Sequence, residues 1–120
     1  MSRDHRKLRV FLQADQLVMD VYKASASFPA TERFGLQSQL RRSGLSVACN
    51  IVEGAARRTT AEYAHFMNIA ASSAAESEYL ADVARRLGYL SEDLGSRLSR
   101  EYRGVAAGLQ ALIHALSPGP

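Results

Sequence analysis

The run from Phe34 to Gly54, FGLQSQLRRSGLSVACNIVEG, constrains the fold of this chain more than any other stretch. At about 100° of rotation per residue, Leu36, Leu40, Val47 and Ile51 fall in one narrow sector, joined by the small Ser43, Gly44 and Gly54. A stripe of that kind faces a core. On the far side stand Leu45, Ala48 and Val52, with Cys49 beside them, where a surface helix would be polar. Ser46, Asn50 and Glu53 make a third, polar strip next to Arg42. A helix that is apolar nearly all round is buried nearly all round. The expectation is bundle packing on one edge and an oligomer contact on the other, with Leu45 and Val52 in that contact.

The flanking chain reads as three more helices. The first is predicted over residues 7–27, ended by Phe28-Pro29, because proline disfavours helix in the residue before it. Leu8, Phe11, Leu12, Val18, Met19, Tyr22 and Ala26 share one side of it; Val10, Leu17 and Val21 share another, which is assigned to an oligomer interface. The second is the opening stretch, residues 36–56. The third spans 60–87 and starts at Thr59-x-x-Glu62, the spacing of a capping box. The middle of its inward face is Ala and Ser, which predicts a close helix crossing. Gly88 is a stop, and Ser91 with Glu92 and Asp93 opens a fourth helix over 91–116. Its stripe is Leu94, Leu98, Tyr102, Val105, Leu109, Leu112 and Leu116, and a frayed Pro118-Gly119-Pro120 follows. Four helices on short loops predict an all-α, up-down-up-down antiparallel four-helix bundle in one domain of 120 residues.

Several function classes lose their support here. A di-iron bundle needs Glu-x-x-His on two helices, and only Glu62-Tyr63-Ala64-His65 has that spacing. One cysteine excludes an intrachain disulfide and a Cys-based zinc site, and Cys49 reads as a buried structural residue. No phosphate loop, metalloprotease motif or nucleophile elbow is present. Neither an enzyme, a cofactor nor a small-molecule substrate is expected. No apolar run of about 20 residues exists to span a membrane. Residues 1–9 are polar and basic, with no apolar segment after them, so a cytoplasmic setting is expected by exclusion.

Charge is the remaining lead. The formal net charge is +3, and thirteen of the fifteen cations are arginine. Residues 1–59 carry ten cations against five acids, whereas residues 60–120 carry five against seven. Candidate phosphate-binding groups are Arg3, Arg6, Lys7 and Arg9, the pair Arg57-Arg58, and the ladder Arg97, Arg100 and Arg103. Arginine is well suited to phosphate and carboxylate alike. Arg42, Asn50 and Glu53 are expected to form a buried polar network that fixes register, with an arginine pairing Glu53.

Phe28-Pro29, Glu32-Arg33-Phe34-Gly35-Leu36, Ser38-Gln39-Leu40-Arg41-Arg42 and Asn50-Ile51-Val52-Glu53-Gly54 together resemble a bacterial four-helix-bundle family. That family is first known from open reading frames in intervening sequences of large-subunit ribosomal RNA. It includes the accessory variability determinant of diversity-generating retroelements. The likeness covers about residues 7–90 and continues through Glu62-Tyr63, Asn68-Ile69-Ala70 and Gly88-Tyr89-Leu90. It implies a homopentameric ring and, in the retroelement branch, binding of nucleic acid and a reverse transcriptase by a basic ring. Relatives often have proline at Ala48, an aromatic-glycine pair at Ala55-Ala56 and lysine at Ala61. The second helix should therefore be straighter here and the basic end weaker. Two readings stay open: a non-enzymatic oligomer that contacts RNA or DNA, and a purely protein-interacting scaffold whose arginines make intersubunit ion pairs.

Overall fold

In the computed structural model, which describes residues 3–116, four α-helices form an antiparallel bundle: α1 Arg9–Ser25, α2 Leu36–Ala55, α3 Thr60–Arg86 and α4 Glu92–Leu116. Each helix packs on its neighbours in sequence and α1 closes against α4, so α1 and α3 stand diagonally. Short 3₁₀ turns at His5–Lys7 and Ala30–Glu32 precede α1 and α2. Among the described residues no helix is long and apolar enough to cross a membrane. The tail Pro118-Gly119-Pro120 lies outside the described residues.

The inner face of α1 is Val10, Ala14, Leu17, Val21 and Ser25, spaced by four, three, four and four. This corrects the sequence assignment. Val10, Leu17 and Val21 lie in the core of their own chain rather than on an oligomer face. Leu12, Met19 and Tyr22, from the larger apolar set, point outward instead. The reason is that Ala14 and Ser25 complete the inner stripe. Small side chains add little hydrophobic bulk to a sequence count, yet they let neighbouring helices approach closely.

The inner face of α2 follows the predicted stripe, with Leu40, Ser43, Gly44, Val47, Ile51 and Gly54 buried and Ala48 and Ala55 added. Opposite it, α3 presents Ala70, Ala71, Ser73, Ala74 and Ser77. With so little side chain between the axes, hydroxyls meet directly. Ser43 Oγ lies 2.7 Å from Ser77 Oγ, and Ser46 Oγ lies 2.8 Å from Ser73 Oγ. These bonds satisfy polar groups that would otherwise be costly to bury. On α4, Leu98, Tyr102, Val105 and Leu109 fill the remaining core.

Two loops are tied together at one end of the bundle. Glu32 accepts a hydrogen bond from the Leu36 N–H at 3.0 Å and so serves as the N-terminal cap of α2. Its other carboxylate oxygen accepts from the Tyr89 hydroxyl at 3.2 Å. A Cβ on Gly35 would stand 2.7 Å from Glu32 Oε1, so a side chain there would displace this carboxylate from its capping position. Tyr89 also packs on Phe28 with ring centroids 5.5 Å apart, and Gly88 supplies the left-handed φ of 78° that ends α3. Glu32→Ala is expected to cost about 1–2 kcal/mol, the usual value of a lost cap plus one hydrogen bond. Urea denaturation of Glu32→Ala, Tyr89→Phe and the double variant should show non-additive losses. Strictly additive losses would mean that the two loops are not coupled through this carboxylate.

Candidate interaction surfaces

The polar strip of α2 is built differently from the expected network. Arg42 and Glu53 are both exposed and eleven residues apart on one helix, a separation of about 16 Å at 1.5 Å per residue. Glu53 instead pairs with Arg57 one turn on, at 3.1 Å. Asn50 donates to the Ser46 carbonyl at 2.8 Å and to Ser46 Oγ at 3.1 Å. The buried polar network is therefore the hydroxyl row Ser43, Ser77, Ser73 and Ser46, with Asn50 at its end. The sequence signals for it were Ser43, Ser46 and Asn50 on α2 and the serines and alanines of α3.

The basic groups separate into two kinds. On α4, Arg97 lies 2.8 Å from Glu101 and 3.3 Å from Asp20 on α1. Arg103 lies 2.8 Å from Glu78 on α3. Only Arg100 of that ladder lacks a carboxylate partner among the described residues, so the ladder is mostly neutralised within the chain. Arg85 bridges Asp82 and Glu92, each at 2.8 Å. The Arg85 guanidinium, helped by Arg86, holds the Asp82 carboxyl below its ordinary value.

At the opposite end, the start of α1 meets the junction of α2 and α3. The Arg3 N–H donates to the Ala55 carbonyl at 2.7 Å, and its guanidinium lies 4.1 Å from the centroid of the Tyr63 ring. The Arg57 guanidinium lies 4.8 Å from the Phe66 centroid, in cation–π range. Arg6 is paired with Asp4 at 3.0 Å. Among the described residues, Arg3, Lys7, Arg9 and Arg58 have no carboxylate partner. The structure thus gathers the amino-terminal cations and Arg57-Arg58 at one end and leaves the α4 ladder apart.

A third surface is apolar. Leu12, Met19 and Tyr22 on α1 and Leu45 and Val52 on α2 are exposed, and Phe34, in the loop between the helices, is 89% exposed. Spacings of seven and three on α1, and of seven on α2, put each set on one face. Tyr22, Phe34 and Leu45 line a single groove with Arg33, Arg41 and Arg42. Cys49 lies on this face too and is exposed, not buried as the sequence suggested. The α2 face turns away from the core at that residue, one turn past Leu45.

Among the described residues no group of three or more His, Cys, Asp or Glu side chains could hold a metal ion. The family model for the 23S rRNA-intervening sequence protein matches residues 6–111. The chain belongs to that family. A solved structure with the same fold is that of a protein of unknown function from the S23 ribosomal protein family of Bacteroides thetaiotaomicron. It superposes with a TM-score of 0.80 at 21% identity, over 87% of this chain and 97% of that one. No functionally curated protein matches. Several of the family-like residues in this member have structural roles. Glu32, Gly35 and Tyr89 form the end clamp, and Gly54 marks a close approach of α2 to α3. Arg33 and Phe34 have no such role.

Proposed function

We propose that this member of the rRNA intervening-sequence family is a non-enzymatic scaffold that assembles with copies of itself, in a fivefold ring, and offers its basic end to nucleic-acid phosphate. The observation that carries assembly is the apolar strip. Of eight large hydrophobic side chains exposed among the described residues, six belong to α1, α2 or the loop between them, and only Tyr79 and Leu87 lie elsewhere. Exposed apolar side chains gathered on two adjacent helices, with Tyr22, Phe34 and Leu45 in one groove, mark an interaction site. The bundle measures 47 by 24 by 21 Å, so one long side exceeds the roughly 800 Å² per partner that a standard interface covers.

Phosphate contact rests on the unpaired cations at the bundle end. The α4 ladder supports it less, because Arg97 and Arg103 are already engaged. A ring would repeat Arg3, Lys7, Arg9 and Arg58 around one rim. Contacts of this kind carry little base information and weaken steeply with salt, by a slope of about 0.7 per phosphate on single strands.

Light scattering after size exclusion, at low and high salt and with a mixed RNA pool, tests both parts. An assembled species at either salt, shifted by RNA only at low salt, is the expected result. A monomer at micromolar concentration would overturn the assembly reading. An assembly indifferent to RNA at low salt would leave a purely protein-interacting scaffold. Cys49 gives an independent check. Its alkylation by a maleimide should be several-fold slower in the assembly than in a Met19→Asp variant held monomeric. Equal rates would place Cys49, and the strip around it, outside the contact.

A further inference from the structure

We infer that the contact between copies is keyed by a charge pair, with Asp15 of one copy received by Arg33 and Arg42 beside Phe34 of the next. This rests on the assembly reading and specifies which residues meet.

Asp15 is exposed on the outward side of α1. Its helical neighbours at three and four residues are Phe11, Leu12, Val18 and Met19, so no cation on α1 is placed to pair with it. Among the described residues it makes no ion pair either. It is a lone carboxylate in the middle of the apolar strip. Once another molecule covers that strip, the carboxylate loses water, and a desolvated charge requires a partner. That partner must arrive with the covering molecule.

The Phe34 end of the strip has the complementary chemistry. Arg33 lies with its guanidinium 5.5 Å from the Phe34 ring centroid. Arg42 is exposed, and neither arginine has a carboxylate partner among the described residues. Arg41 is already fixed. It donates to Ser25 Oγ at 2.8 Å and to the Tyr22 carbonyl at 3.1 Å, and stacks on the Tyr22 ring. The nearby Glu32 carboxylate is occupied by the Leu36 N–H and the Tyr89 hydroxyl. So Phe34 is a bare aromatic knob flanked by two unspent guanidinium groups. Asp15 sits seven residues from Tyr22 along α1, about 10 Å away, and no arginine of its own chain pairs with it. A second copy supplies both what Asp15 lacks and an apolar seat for Phe34. An unrelated partner would have to reproduce both features.

Size-exclusion light scattering of Asp15→Arg, of Arg33→Asp/Arg42→Asp, and of the two mixed in equal amounts tests the pairing. All substitutions are on exposed positions, and circular dichroism with a melting curve confirms that each variant is folded. Each variant alone is expected to self-associate at least about 30-fold more weakly than the parent chain, as for loss of a buried charge partner. The triple variant, in which every contact is restored with its charges exchanged, should regain the parent's assembly, and the equal mixture should associate through unlike copies without closing an alternating ring of five. Asp15→Arg assembling like the parent would overturn the key while leaving self-assembly standing. Dissociation of each variant without recovery in the mixture or the triple variant would overturn the pairing as well. A monomeric parent chain would instead remove the assembly reading itself.

Discussion

Above pH 10 this protein is expected to lose stability steeply, and Tyr102→Phe to remove much of that loss. Tyr102 is fully buried on α4. Its ionisation is pushed far above the ordinary value of 10.0, first by burial and then by the charges of Asp20 and Glu101. The hydroxyl lies near Ser77 but has no well-formed hydrogen bond. A Cβ on Gly44 would stand only 2.9 Å from it, so the phenol lies close against the α2 backbone. Below pH 10 the phenol is neutral in both folded and unfolded chains, and its contribution is constant. Above pH 10 the unfolded chain releases the proton and the folded chain does not. Each further pH unit then costs about 1.4 kcal/mol, until the folded value is reached.

Tyr63 is pushed in the same direction by burial, with Arg3 opposing, so some alkaline loss persists in the variant. Urea denaturation at pH 8 and pH 11.5 separates the two tyrosines. Tyr102→Phe should lie within about 1 kcal/mol of the parent at pH 8, since one poorly formed hydrogen bond is at stake. At pH 11.5 it should be more stable by about 2 kcal/mol. An equal loss in both proteins would show that Tyr102 ionises without unfolding the bundle.

Tyr102 also illustrates how far the sequence could be read. The α4 stripe that contains it was visible, because its members are large and regularly spaced. The same holds for the α2 stripe and for the Thr59 cap, whose hydroxyl accepts from the Glu62 N–H at 3.1 Å. What was hidden depended on small or polar residues. On α1 the choice of face turned on Ala14 and Ser25, which carry little weight in an apolar count. On α2, Glu53 was expected inside a network, but an exposed arginine one turn away was the cheaper partner. The α4 arginines looked like a phosphate ladder because two of the acids that neutralise them, Asp20 and Glu78, stand on other helices, although Glu101, one turn after Arg97, was readable. Asp15 was the readable signal left unread. A carboxylate whose four helical neighbours are all apolar stands out on a helical projection.

Gly54→Val is expected to lower the stability by about 3 kcal/mol, which for a domain of this size is roughly a 10 °C fall in melting temperature. A Cβ at Gly54 would stand 2.6 Å from Met67 Cε, 2.8 Å from Phe66 Cβ and 3.3 Å from the Tyr63 carbonyl oxygen. The methionine terminus can swing aside. Phe66 Cβ and the Tyr63 carbonyl belong to the rigid part of α3 and cannot. Glycine inside a helix normally costs about 1 kcal/mol relative to alanine, so Gly54→Ala gains propensity while it loses the fit. It should fall between the parent and Gly54→Val. If either variant instead melts above the parent, the two helices are not in tight contact there. The same contact sets the basic end. Arg57 follows Gly54 by one turn and lies on Phe66, and Arg3 lies on Tyr63. Forcing α2 away from α3 would therefore move both arginines. Weaker RNA binding by Gly54→Ala, at temperatures where it remains fully folded, would tie the placement of those cations to this glycine.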